Sequence, residues 1–144
     1  MFSGLDVADL RQVEKVVEQV RVNFAKVFFN YDSTSLSGDS RSALEANAAL
    51  LQRYPDVRVE VQGHADDRGT TDYNLALGQR RATSIRDALT SMGASSSQIT
   101  ILSYGEERPA ASGSGESVWS QNRRAEFRVT QGSSKEGVTV SGTN

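Results

Sequence analysis

Leu10, Val13, Val17, Val20 and Phe24 recur at spacings of 3, 4, 3 and 4 with charged residues between them, the pattern of an amphipathic helix with one apolar stripe. Residues 1–24 are therefore expected to form a helical segment packed on the domain that follows, the stripe being core. Lys26–Asp32 (KVFFNYD) is aromatic and β-branched and runs into a Ser/Thr-rich turn, which predicts a strand. Asp39 or Ser40 is expected to cap a second helix, in which Leu44, Ala48 and Leu51 share a face and which stops before Pro55. Val57, Val59 and Val61 then alternate with Arg58, Glu60 and Gln62, the period of a strand buried on one side. A polar loop, GHADDRGTTDYN, leads into a third helix from about Asp72 to Met92, closed by Gly93 where a left-handed cap needs glycine. Ile99–Tyr104 and Arg124–Thr130 supply two more strands, the second turning Ala125, Phe127 and Val129 inward. Gly105–Ser117 reads as a surface loop, and the tail 132–144 has the composition of disorder.

Strands alternating with helices over residues 25–131 imply βαβ units, and so an α+β domain with a small mixed sheet and its helices on one face. A length of 144 residues, 37% hydrophobic and 24% charged, suits one such domain. The net charge of −2 offers no basic excess to neutralise a phosphate backbone, so nucleic acid is excluded as a partner class. No cysteine is present, which removes disulfides, thiol nucleophiles and Cys-ligated zinc together. No apolar run reaches 18 residues, so nothing reads as a membrane-spanning helix.

The stretch GHADDRGTTDYNLALGQRRA carries the chemistry. At about 100° per residue, Gly78, Ala82, Ile85, Leu89 and Met92 form one buried stripe, with Arg80 opposite it in solvent. Arg81 falls on the shoulder of that stripe, and Asn74, seven residues earlier, lies on nearly the same line. Glycine inside a helix costs about 1 kcal/mol relative to alanine, so Gly78 implies a close approach by a neighbour or a ligand. Asp66, 15 residues before Arg81, is brought near it by a strand–loop–helix turn. An arginine fork accepts a carboxylate and an aspartate receives an ammonium, so the two flanking one cleft can read a zwitterion such as an amino-acid end.

GHADDRGTTDYNLALGQRRA resembles the GHADERGT-x-x-YN-x-x-LG-x-RRA run of the OmpA-like peptidoglycan-binding domain, in its peptidoglycan-associated lipoprotein branch. SYGEERP, NRRAEF and FFNYDS resemble that branch's SYGEE-x-P, NRRVEF and FDFDS, in the same order along Val27–Val129. The resemblance implies a βαβαβ(α)β two-layer sandwich that binds peptidoglycan without catalysis, through the meso-diaminopimelate of the stem peptide, and so tethers the outer membrane to the cell wall. It implies that Arg81 clasps the free carboxylate and Asp66 receives the ammonium, with Asn74, Asp32 and Arg123 supporting the same pocket, and that no cofactor or metal is used. A TolB-like periplasmic protein is an implied partner. The implied location is periplasmic and associated with the outer membrane. Because Met1–Leu10 has no basic stretch followed by an apolar one, the export signal and lipid-bearing cysteine are expected upstream. Gln79 and Ala125 depart from the family's Glu and branched residue, which touches packing more than binding.

Plainer readings stand beside these. Arg81 alone would be a surface ion-pair residue, with Glu45 or Asp87; Asp66 alone would be a turn or cap residue, and Asp72 an N-cap. Asp32 serves equally as a holder of turn amides before Ser33 and as a ligand contact. His64, the only histidine, lacks the second histidine or cysteine that a catalytic zinc wants and has no G-x-S-x-G nucleophile to serve, so it is expected to fix its loop by hydrogen bonds. Trp119 and Tyr104 read as packing residues. Two rival functions remain: a protein-binding adaptor of the Tol–Pal kind without wall binding, and a wall hydrolase using His64 and Asp66.

Overall fold

Alternation along Arg58–His64 (β2) turns Val59 and Val61 to one side and Glu60 and Gln62 to the other. In the computed structural model, which describes residues 26–131 with Arg11, Glu14 and Lys15 before them, this strand is central. It pairs in parallel with Ile99–Gly105 (β3) and antiparallel with Arg124–Gln131 (β4), while Val27–Phe28 (β1) adds antiparallel to the far side of β4. The order β1-β4-β2-β3 makes a mixed four-stranded sheet. The apolar stripe expected in residues 1–24 (Leu10, Val13, Val17, Val20 and Phe24) and the tail 132–144 lie outside the described residues.

Helices Gly38–Arg53 (α1) and Thr71–Ser91 (α2) cover the valine side of this sheet. Leu44, Ala48 and Leu51 of α1 and Ala82, Ile85 and Leu89 of α2 close on Val57, Val59, Val61, Ala125 and Val129, all buried. Each fully buried aliphatic side chain contributes about 1.5–3 kcal/mol, so this layer is where the α+β sandwich gets its stability. Gln98, in the 3₁₀ turn Ser96–Gln98, donates from Nε2 to the carbonyls of Leu51, Tyr54 and Val57 and so joins the end of α1 to the approach to β2.

Several boundaries differ from the sequence reading, each for a local reason. The first strand is two residues long rather than seven, because the carbonyls of Phe29 and Asn30 are taken by the side chains of Arg123 and Arg81 instead of a neighbouring strand. The caps are Ser37 and Thr70, whose hydroxyls accept from the amides of Ser40 and Tyr73; Asp39 and Asp72 sit in the first turns instead, where the helix dipole favours negative charge. Gly93 does follow the C-cap of α2 in a left-handed conformation, φ 115°. The end of the expected loop winds into a short helix, Glu116–Asn122 (α3), in the place of the family's optional helix.

The closest joint in the fold explains Gly78. A Cβ on Gly63 of β2 would stand 1.8 Å from the Gly78 carbonyl oxygen, and one on Gly78 would stand 2.2 Å from Ser103 Oγ and 2.8 Å from the Gly63 carbonyl oxygen. Helix α2 thus lies backbone against backbone on β2, immediately before the strand opens into its polar loop. That contact sets the distance between the loop and the first turns of α2. Gly63→Ala is therefore expected to lower stability by about 3 kcal/mol or more, beyond ordinary overpacking because the obstruction is backbone. Urea unfolding checks it; a loss below 1 kcal/mol would mean that the helix can move off the strand at little cost.

Candidate ligand-binding site

Where β2 ends, the chain turns through Ala65, Asp66, Asp67 and Arg68 before entering α2, and this loop meets the β1–α1 loop over a cavity of about 110 Å³. Its walls are Tyr31, Asp32, Asp66, Arg68, Gly69, Tyr73, Asn74, Leu77 and Arg81. Four of the five residues expected at the site, Asp32, Asp66, Asn74 and Arg81, are thus brought to one cavity. Arg123 is not part of its wall.

Asp66 is 5% exposed. Its Oδ1 accepts from the Arg68 amide at 3.0 Å, the short turn expected of an aspartate in a loop, and also from Arg68 Nε at 3.3 Å; Oδ2 accepts from Arg68 Nη2 at 2.6 Å. Burial alone would push the carboxyl up, but the hydrogen bonds and charge of Arg68, with Arg123 Nη1 at 3.8 Å behind, outweigh it and hold the group below the ordinary carboxylate range. Asp66 is therefore an anion at neutral pH.

Arg81 is fully buried, not on the surface, and it pairs with neither Glu45 nor Asp87. Nε donates to the Ser33 carbonyl at 3.0 Å, Nη1 to that of His64 at 2.9 Å and Nη2 to that of Asn30 at 3.2 Å. One side chain on α2 thereby holds the β1–α1 loop and the end of β2, with Ser84 Oγ adding a bond to the Thr34 carbonyl. Burial lowers its pKa to about 10, opposed by the charge of Asp66. It stays charged at pH 7.

Asn74, buried in the first turn of α2, donates to Glu106 Oε1 at 2.9 Å. Asp32 is exposed, holds the left-handed conformation (φ 52°) and accepts from the Tyr73 hydroxyl. Arg123 stands behind Asp66, its Nε on the Phe29 carbonyl and its two terminal nitrogens on Glu116.

Sequence reasoning missed the group that dominates the rim. Arg68 lies with its guanidinium carbon 4.1 Å from the Tyr31 ring centre and 4.1 Å from that of Trp119, so Trp119 is a stacking surface and not only packing. Trp119 Nε1 also donates to Asp67 at 3.0 Å. The only advance signal was the position of Arg68 inside the GHADDRGT run.

His64 does not hold its loop by side-chain hydrogen bonds, as expected from the sequence: neither ring nitrogen has a partner among the described residues. Its ring stacks on Tyr104 at 5.5 Å, Arg108 covers the same tyrosine at 4.0 Å, and only the backbone carbonyl of His64 reaches Arg81. Burial first, and the Arg124 charge second, push the imidazole down to about 4, so it is neutral at pH 7.

The OmpA family matches residues 28–123 of this chain. A peptidoglycan-associated lipoprotein of Agrobacterium fabrum is 50% identical over 100 residues, covering 69% of this chain and 56% of the relative, so the chain spans little more than half of that protein's length. The peptidoglycan-associated lipoprotein of Pasteurella multocida is 40% identical over 125 residues, 87% of this chain and 77% of the relative. The crystal structure of the peptidoglycan-associated lipoprotein from Burkholderia pseudomallei superposes with a TM-score of 0.69 at 41% identity, covering 71% of this chain and 86% of that one.

The buried, neutral His64 gives a pH prediction. An unfolded histidine titrates near 6.5, so below that pH the unfolded chain binds a proton that the folded chain refuses until about 4. Stability on this account is level above 6.5 and falls as pH drops through that window, by about 2 kcal/mol between pH 7 and pH 5. His64→Phe, which keeps a ring against Tyr104, is expected to remove that part of the slope in urea unfolding at the two pH values. An unchanged slope would show that His64 takes its proton as readily in the folded state.

Proposed function

This chain belongs to the OmpA family, and from that premise we propose that it binds peptidoglycan non-covalently and tethers the outer membrane to the cell wall from the periplasm, as the names of its peptidoglycan-associated lipoprotein relatives suggest. The ligand is the meso-diaminopimelate end of a stem peptide, taken into the cavity between Asp66 and Arg81. The observation that carries this reading is a buried carboxylate and a buried guanidinium lining one small cavity, with Asn74, Asp32 and Tyr73 beside them. A free amino-acid end brings an ammonium for Asp66 and a carboxylate for the cationic side. Arg123 supports from behind, through its approach to Asp66.

Binding of this kind uses no proton transfer, and we assign the protein no catalytic role. His64 is absent from the cavity wall, which leaves a hydrolase without the base that the rival reading requires. A TolB-like periplasmic partner belongs to the same proposal. Tyr31 and Tyr73, 62% and 42% exposed, stand at the cavity rim and give a protein partner an aromatic surface overlapping the wall site. Competition between such a partner and soluble muropeptides tests the overlap.

Lysine-type peptidoglycan keeps the ammonium but lacks the adjacent carboxylate, so it forfeits the charge-assisted hydrogen bonds a carboxylate would make to the cationic side of the cavity. That costs about 1–3 kcal/mol, roughly one to two decades in affinity. Calorimetry with matched soluble muropeptides is expected to show the diaminopimelate form binding tighter by that factor, and Asp66→Asn weakening sacculus binding comparably while circular dichroism stays unchanged. Equal affinity for both forms would refer recognition to the glycan or another stem residue.

A further inference from the structure

A second concavity opens beyond the residues that wall the first. It is an open groove of about 400 Å³ between the end of β1 and α3, lined by Phe28, Phe29, Asn30, Ser120, Gln121 and Arg123. The two concavities share no lining residue, yet they abut. Asn30 precedes Tyr31 of the cavity wall and gives its carbonyl to Arg81, and Arg123 Nη1 lies 3.8 Å from Asp66 Oδ2. Ser120 follows Trp119, whose ring lies against Arg68. The rim between them is thus the stack of Tyr31, Arg68 and Trp119.

Alternation along the start of the domain buries Val27 and Phe29 and turns Phe28 out, 51% exposed. A single exposed aromatic is ordinary, but this one stands beside polar groups that are equally unoccupied. The Asn30 carboxamide makes no hydrogen bond among the described residues, and Gln121 uses only Nε2, donating to the Ser117 carbonyl at 2.8 Å, which leaves Oε1 open. Arg123 is the one charged residue of the lining, and its charge is met by Glu116 at 2.8 Å and by Asp66. An aromatic face with open carboxamides and no unmet charge suits a neutral ligand that is apolar on one side and rich in hydroxyl and amide groups on the other. A pyranose ring bearing an N-acetyl group is such a ligand: its C–H face lies on an aromatic ring, and its acetamido group exchanges hydrogen bonds with a carboxamide. The groove also has the volume usual for a small-molecule site, roughly 300–1,000 Å³.

We propose that this groove is a saccharide subsite, occupied by the N-acetylmuramoyl sugar of the same muropeptide whose diaminopimelate end enters the cavity. This subsite rests on the wall-binding reading and extends it to a separate surface. Two stem residues join the sugar to the diaminopimelate, roughly 7 Å of extended chain, enough to cross the rim. In that linkage the lactyl carboxyl is an amide, so the sugar arrives neutral.

The experiment is calorimetry of the wild type, Phe28→Ala and Gln121→Ala with two soluble ligands, with thermal melts to confirm the fold. One ligand is the free stem tripeptide ending in meso-diaminopimelate, the other the same tripeptide on N-acetylmuramic acid. The wild type is expected to bind the sugar-bearing form about three- to tenfold more tightly. Each variant should lose most of that gain and keep its affinity for the free tripeptide, since neither residue lines the cavity. Equal affinity of the wild type for the two ligands overturns the subsite. So does a gain that survives both substitutions, which would leave Phe28 to a protein surface, and so does equal weakening of both ligands, which would make the two residues structural. A gain that appears only when N-acetylglucosamine is added would move the occupant to the neighbouring sugar and overturn the assignment equally. Lysine forms of both ligands separate the groove from the cavity. If the wild type binds lysine and diaminopimelate forms alike while the sugar gain persists, the cavity reading fails and the groove stands; binding of neither ligand overturns both.

Discussion

A cation with no access to water sits at the junction of three backbone segments. Arg81 is buried on α2, and removing its charge from solvent would be costly without partners. Its three bonds to the carbonyls of Asn30, Ser33 and His64, and the field of Asp66, offset that cost well enough for its pKa to remain near 10. The same bonds give partners to the carbonyls of Asn30 and Ser33 beyond the truncated β1 and to the carbonyl of His64 at the end of β2. Loop shape and buried charge therefore depend on each other. The guanidinium ties the β1–α1 loop to the end of β2, which strand pairing with β3 holds on its other side.

The glycine joint makes this possible. Because Gly63 and Gly78 let helix and strand meet backbone to backbone, Arg81, one turn further along α2, stands within reach of the last carbonyl of β2. A side chain at either glycine would push α2 off β2 and strain the bond from Arg81 to the His64 carbonyl. The energetic link between packing and site runs through that single close approach.

The architecture was legible because it rests on periodicity: Val57, Val59 and Val61 declare a half-buried strand, and Ala82, Ile85 and Leu89 declare the buried side of α2. The mixed four-stranded sheet followed from alternation and resemblance together. Caps slipped by two residues because Ser37 and Thr70 compete with acidic neighbours that suit the first turn as well as the cap. The cavity was legible in part. Helical arithmetic placed Arg81 on the shoulder of the stripe but could not see that the β1–α1 loop folds over it, so a residue read as bordering a cleft is wholly buried. Arg68 was illegible for a related reason: its position depends on Tyr31 and Trp119, which lie 37 residues before and 51 after it in the chain, and no local pattern reports such a meeting. His64 was misread because a lone polar ring suggests hydrogen bonds, whereas this one is held by stacking on Tyr104.

The size of the cavity constrains how such a protein can hold a wall. At about 110 Å³ it is smaller than the roughly 300–1,000 Å³ usual for sites that enclose a small molecule, so it takes the end of a side chain and leaves the rest of the ligand outside it. Little apolar area is available in it to drive binding, and discrimination must come from charge pairing in a partly desolvated place. On the proposed reading this suits the partner. A polymer displays the same diaminopimelate end many times, and a protein confined beside it meets a high local concentration of sites. Modest affinity per encounter then gives durable attachment while each contact stays exchangeable. Selectivity cannot be gained the same way, since repetition multiplies a wrong match as readily as a right one. It has to reside in each contact, which is why the charges around Asp66 are held so firmly by aromatic rings and buried carbonyls.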